Sequence, residues 1–294
     1  MPIASIASAA AVYSSAEAAV ARLAQIEGLV PEEYSEKSGS FHVEQEAFTT
    51  TESGTGPNEL SVGTIRIDSL GLKFEVDREF AEGSSVAVVG ESGVGESSFL
   101  KAIVRLVDST GSSIWSAGTD LTVLPVDELR RRVLYLDQES QMFGENLMEM
   151  VLLGRSFSST QLDTALSELQ LDSLGNALYG DQGRLEKRLE NLSGGERKRL
   201  SLLRAAMSES PIILFDEPTS GLDAVSQRSV ESLIFAKLDS RIRIVATHQI
   251  DWLDKCDTVI LLAKGGDVIS GTLAEIKDEP RFKDLVAGPE ECRR

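Results

Sequence analysis

Residues 90–98 read GESGVGESS. Glycine, four residues, glycine, then lysine and a hydroxyl residue is the spacing of a phosphate-binding loop. Glycines there let backbone amides approach phosphate oxygens, the lysine reaches the terminal phosphates, and the hydroxyl takes Mg2+. Gly90 and Gly95 keep the spacing, Ser92 and Gly93 lie within the loop, and Ser97 and Ser98 follow it. Glu96 stands where the lysine belongs. The stretch reads either as a phosphate cradle with an acid facing its anionic ligand, or as a plain Gly/Ser turn.

Two further stretches add chemistry. IILFDEPTSGLD is an apolar run that ends in two carboxylates, Asp216 and Glu217. A strand terminus holds a carboxylate rigidly at the sheet edge where nucleotide sites form. Asp216 suits Mg2+ held through water, and Glu217 suits a general base for an attacking water. A solvated acidic turn is the alternative. LSGGERKR places Ser193, Gly194 and Gly195 just before a helical pattern. Exposed amides at a helix start make an anion site, and the same residues also spell a capping box.

The elements that must position these residues follow from periodicity. SSVAVVG is a short buried strand running into the glycine loop, and SFLKAIVRLV continues as a helix. RVLYLD, PIILFDE and RIVATH are further buried strands. TVILLAKGGDVISG reads as one more strand, bent by its two glycines. STQLDTALSELQL and GERKRLSLLRAAM are helical, while TIRIDSLGLKFEV alternates as a strand or hairpin. Strands alternating with helices predict an α/β fold whose mostly parallel sheet carries helices on both faces.

Three zones divide the chain. Residues 1–27 are alanine-rich and helical by propensity. Residues 28–60 are rich in Ser, Thr, Gly and Glu and read as a flexible acidic linker. Residues 61–294 form the folded domain. Of 294 residues, 41% are hydrophobic and 26% charged, as expected of a soluble globular chain. A net charge of −18 argues against a nucleic-acid partner, which needs a basic stripe. Cys256 and Cys292 lack metal-ligand spacing and fit a reducing compartment. No apolar run of about 18 residues spans a membrane, and the N-terminus lacks a signal-peptide pattern.

Taken together, Gly90 to Ser98, Gln138, Leu192 to Glu196, Asp216 to Asp223 and His248 resemble the nucleotide-binding domain of ATP-binding-cassette (ABC) transporters. The resemblance covers about Ile65 to Val286, and LSGGE lying just before FDEPTSGLD is its most specific feature. It implies a P-loop NTPase-type sheet, an antiparallel β-subdomain and a helical subdomain at about 139–200. It implies ATP and Mg2+ as cofactors. Phe74 is similar to the aromatic residue that stacks on adenine, or is a strand core residue. Gln138 resembles the glutamine that contacts Mg2+ and senses the transmembrane partner, or is a loop amide. His248 resembles the histidine that contacts the γ-phosphate, and Asp223 the loop that crosses a dimer interface.

In that family two domains face each other head to tail, so that Ser193 and Gly195 reach the nucleotide of a partner chain. The implied partners are a second such domain, identical or not, and a transmembrane domain. The implied location is the cytoplasmic face of the cell membrane. NLMEMVLLGR resembles exporter-type domains, and the N-terminal helix resembles the end of an exporter's last transmembrane helix. DEPTSGLD is closer to the importer spelling, and GRLEKRLEN lacks the exporter pre-signature pattern.

Glu96 is the departure. The lysine normally bridges the β- and γ-phosphates. Two unit charges about 4 Å apart interact by about 4 kcal/mol at an effective dielectric of about 20, so exchanging attraction for repulsion is bounded by roughly 8 kcal/mol. A transition-state loss of about 3 kcal/mol already slows turnover roughly a hundredfold. Weak ATP binding and impaired hydrolysis are expected. Three origins are compatible: an engineered or incidental single-base change in an otherwise active ATPase, a natural degenerate site in a heterodimer, or a non-transport protein that uses the fold for regulation.

Overall fold

A computed structural model describes residues 59–138, 158–172 and 192–291. The expected N-terminal helix (1–27), nearly all of the linker (28–60), the NLMEMVLLGR segment and much of the 139–200 subdomain lie outside the described residues.

The mixed α/β architecture has two sheets. The first is four-stranded and antiparallel, in the order β2-β1-β4-β5. Its strands are β1 (Leu60–Ile67), β2 (Leu72–Phe80), β4 (Ile114–Ser116) and β5 (Thr119–Asp120). The second is six-stranded, in the order β10-β9-β3-β8-β7-β6. It contains β3 (Ser85–Gly90), β6 (Val133–Leu136), β7 (Ile212–Asp216), β8 (Ile242–Ala246), β9 (Thr258–Leu262) and β10 (Val268–Gly271). All its neighbours run parallel except β9 and β10.

Central parallel strands are covered on both faces, which is why they read as unbroken apolar runs. Their side chains divide by alternation. Val86, Val88, Ile212, Leu214, Ile242 and Ile244 join the core beneath the antiparallel sheet and helix α1 (Glu96–Ile103). Ile213, Phe215 and Val245 face the other way, against α3 (Ser159–Glu168), α4 (Gly194–Met207) and α5 (Ala224–Ser232). Ala87, Val89, Val259 and Leu261 share that second side with Phe282 of α7 (Pro280–Glu291) and Ile276 of α6 (Leu273–Ile276). The short helix α2 (Val126–Arg132) leads into β6.

One expectation is corrected here. TVILLAKGGDVISG is not one bent strand but two, paired antiparallel with Val268 opposite Leu262. Gly265 and Gly266 have φ of +88° and +92°, which reverses the chain between them. A Cβ on Gly266 would stand 2.3 Å from the Lys73 carbonyl oxygen, so the turn sits directly on β2.

Parallel pairing has one consequence for chemistry. Gly90, Asp216 and Ala246 end neighbouring strands β3, β7 and β8, and Leu136 ends β6. Whatever follows these residues gathers along a single edge, where ligands of open α/β sheets bind.

Candidate functional site

The glycine loop turns between β3 and α1. Gly90 is obligatory, since a Cβ there would lie 2.7 Å from both the Leu262 carbonyl oxygen and Val94 Cγ1. Gly93 and Gly95 have φ of +81° and +109°, which side-chain-bearing residues rarely adopt. Ser92 is exposed and Ser98 is half-buried.

Asp216 is the fixed point of the site. It is 1% exposed, and both its oxygens are held. Ser97 Oγ donates to Oδ1 at 3.0 Å, and the Tyr135 hydroxyl donates to Oδ2 at 2.9 Å. Burial and the Asp216 charge raise the Tyr135 pKa, so the phenol stays a donor. Glu217 follows with φ of +45°, and its N–H donates to the Ala246 carbonyl of β8 at 3.0 Å. A non-glycine residue held in that region is strained, and such strain concentrates at functional sites.

Glu96 opens α1 and folds inward. Its Oε1 lies 3.5 Å from where a Gly90 Cβ would stand, and its Oε2 is 3.9 Å from His248 Nε2. His248 Nε2 is also 3.4 Å from Glu217 Oε1. Among the described residues, Glu96 Oε1 and Glu217 Oε1 are buried without a hydrogen-bond partner. Burial, and then the charges of Glu217 and Asp216, push the Glu96 carboxyl up to about 8. Burial likewise raises Glu217, with His248 opposing. Two acids too close to share charge favour the protonated form.

Gln138 is exposed, and its carbonyl accepts from Lys198 Nζ at 2.7 Å. Ser193 caps α4 in a reciprocal box with Glu196, whose carboxylate takes the Ser193 N–H at 2.9 Å. Asp223 caps α5, accepting from the N–H groups of Val225 and Ser226 at 2.9 Å. Those backbone and hydroxyl donors hold its carboxyl below the usual range. Gly195 lies against Leu222, and Arg199 donates to Ser226 Oγ, so the starts of α4 and α5 are pinned together.

The structure therefore brings Gly90, Glu96, Ser97, Asp216, Glu217 and His248 into one site. Ser193 and Asp223 serve as helix caps, with Gly195 in the first turn of α4. Phe74 is corrected: it is fully buried, with its ring edge-on to Phe99 at 5.8 Å, and has no face open to a base. Phe74 instead supports the loop from beneath, 3.5 Å from where a Gly95 Cβ would stand, while half-buried Leu72 lies nearer at 3.1 Å. Tyr135 and Lys198 are site residues that sequence reasoning missed. Lys198 carried a signal, since it shares the inward stripe of α4 with Leu202 and Ala205.

The donor set fits Mg2+. Ser97 Oγ and Asp216 Oδ1 are hard oxygens already in contact, as that ion takes. The glycine loop fits a phosphate once the Glu96 carboxyl is protonated or turned outward.

The sequence pattern of the ABC transporter family matches residues 74–220, and the chain belongs to that family. It is 30% identical over 203 residues to an ATP-dependent lipid A-core flippase of Methylococcus capsulatus, covering 66% of this chain and 33% of that protein. It is 26% identical over 263 residues to the beta-(1→2)glucan export ATP-binding/permease protein NdvA of Agrobacterium fabrum, covering 85% of this chain and 45% of that one. The chain thus spans between a third and a half of the length of these curated relatives. Its fold is that of a bacterial Atm1-family ABC exporter solved with ATP bound, with a TM-score of 0.67 at 23% identity over 82% of this chain and 43% of that one.

Proposed function

We propose that this chain is the nucleotide-binding domain of an exporter, coupling ATP binding and hydrolysis to transport, with turnover impaired by Glu96. The observation that carries the reading is the convergence of Ser97, Asp216, Glu217 and His248 beside the glycine loop. The exporter direction draws on the names of the relatives. The transmembrane domain, the head-to-tail second copy and a place on the cytoplasmic face of the membrane belong to the same proposal. So do the roles of residues 1–27 as a transmembrane-helix end and 28–60 as a linker.

Ser97 and Asp216 hold Mg2+ in this reading, with Gln138 nearby, and the ion offsets phosphate charge when bound. Loop amides from Ser92 to Ser98 and the N-terminus of α1 orient the phosphates. Glu217 accepts a proton from water, and its raised pKa makes it a stronger base than a surface carboxylate. His248 steadies the Glu217 carboxylate and faces the transferred phosphate. Ser193 and Gly195 act on the nucleotide of the opposite domain.

A second reading is favoured by Glu96 itself. Its buried carboxyl sits where phosphate charge would gather, which suits a domain that binds nucleotide without turning it over. Fluorescent ATP titration together with phosphate release, on this protein and on Glu96→Lys, decides between them. Turnover restored by Glu96→Lys supports the impaired ATPase. Binding without turnover in both proteins supports the regulatory module, and no binding in either removes both.

A further inference from the structure

Lys198 lies on α4, one turn beyond its Ser193 cap, yet it is only 6% exposed. Lysine is almost never buried that deeply unless paired. Its ammonium donates to the Gln138 carbonyl at 2.7 Å. Asp216, Asp137 and Glu217 all stabilise its charge, against the burial that lowers its pKa.

The other cations cannot take this place. Among the described residues Arg243 is the other buried one, and it donates to the carbonyls of Gly83, Ile234 and Arg241 near the opposite end of the sheet. Lys101 is a third exposed and pairs with Asp137 at 3.7 Å. The His248 side chain is 56% exposed. Ser97 and Tyr135 are neutral donors. The glycine loop contributes an acid.

We infer that Lys198 supplies the fixed positive charge of this carboxylate site, and positions the Gln138 backbone beside the Asp216–Glu217 pair. It acts through these groups and is a positioning residue. Charge placed there offsets two acidic neighbours, so it competes with a divalent cation at Asp216 and favours an anionic ligand before any metal arrives. The inference rests on the nucleotide-site reading only for that anionic ligand.

The test uses the whole chain without nucleotide. Mn2+ binding is followed by electron paramagnetic resonance for the protein as it stands and for Lys198→Gln, Lys198→Met and Lys198→Arg. Glutamine keeps a donor for the Gln138 carbonyl but removes the charge. Lys198→Gln and Lys198→Met are expected to bind Mn2+ about tenfold more tightly or better, with Lys198→Arg close to the parent. Adding Asp216→Asn should abolish the gain. Equal Mn2+ affinity in the parent and Lys198→Gln, including no binding by either, overturns the inference, and a misfolded Lys198→Met leaves that comparison intact. Metal-free binding of fluorescent ATP should weaken about tenfold in Lys198→Gln and recover in Lys198→Arg. A Mn2+ shift with no ATP binding by any form upholds Lys198 and removes the nucleotide reading instead.

Discussion

Glu96 Oε2 and His248 Nε2 stand 3.9 Å apart, across the mouth of the glycine loop. The Glu96 carboxyl lies inward, beside the charges of Glu217 and Asp216, with only 11% of its side chain exposed. Glu96→Lys is expected to raise ATP turnover roughly a hundredfold, the equivalent of about 3 kcal/mol in the transition state. Phosphate release from the matched pair of proteins measures it.

The same carboxyl makes stability depend on pH. Its pKa is about 8 in the folded chain against 4.5 for the ordinary group. Below the lower value both folded and unfolded forms are protonated and the contribution is complete. Between the two values the unfolded chain releases its proton while the folded chain keeps it, so stability falls as pH rises, and levels off above about 8. At about 1.4 kcal/mol per pKa unit the upper bound is on the order of 5 kcal/mol. Urea unfolding across this window should show the decline, and Glu96→Gln should flatten most of it.

Tyr135→Phe removes the donor from Asp216 Oδ2 and leaves a buried carboxylate oxygen unpaired. The expected loss of stability is about 1–3 kcal/mol. Adding Mg2+ should recover part of that loss, because Asp216 then gains a cation partner. Denaturation midpoints with and without the ion measure both effects.

Phe74→Ala should destabilise the domain by about 3–5 kcal/mol, as expected of a filled core position. Phe74→Leu keeps more volume and should bind fluorescent ATP as the parent does. A large loss of affinity in a well-folded Phe74→Leu protein would restore the base-stacking role.

Much of this site is legible in the chain because parallel strands advertise themselves. SSVAVVG and IILFD are buried on both faces, so they appear as short apolar runs, and the first polar residue after each marks the ligand edge. Phe74 is less legible. Alternation along β2 tells that one face is buried but not what lies over it, and Phe99 of α1 covers the ring. Lys198 is legible only through its spacing with Leu202 and Ala205 on α4. A lysine amid GERKR reads as a solvated helix face, and only the return of β6 and β7 beneath α4 surrounds it with acids. The β9–β10 reversal was masked by the even apolar character of both strands, with only Gly265 and Gly266 to mark the turn.

The seating of Gly266 on Lys73 has a counterpart further along the same strand. Arg78 of β2 donates to the Ser270 carbonyl at 2.6 Å and to its hydroxyl at 2.9 Å. β2 and β10 are each the outermost strand of their own sheet. Unpaired backbone on such strands is a template for foreign chains and for aggregation. Here the two borders meet: a guanidinium occupies a carbonyl that an incoming strand would need, and the turn at Gly266 rests on the Lys73 backbone of β2. The contact that joins the two sheets thus also protects the protein from growing a fibre at that margin.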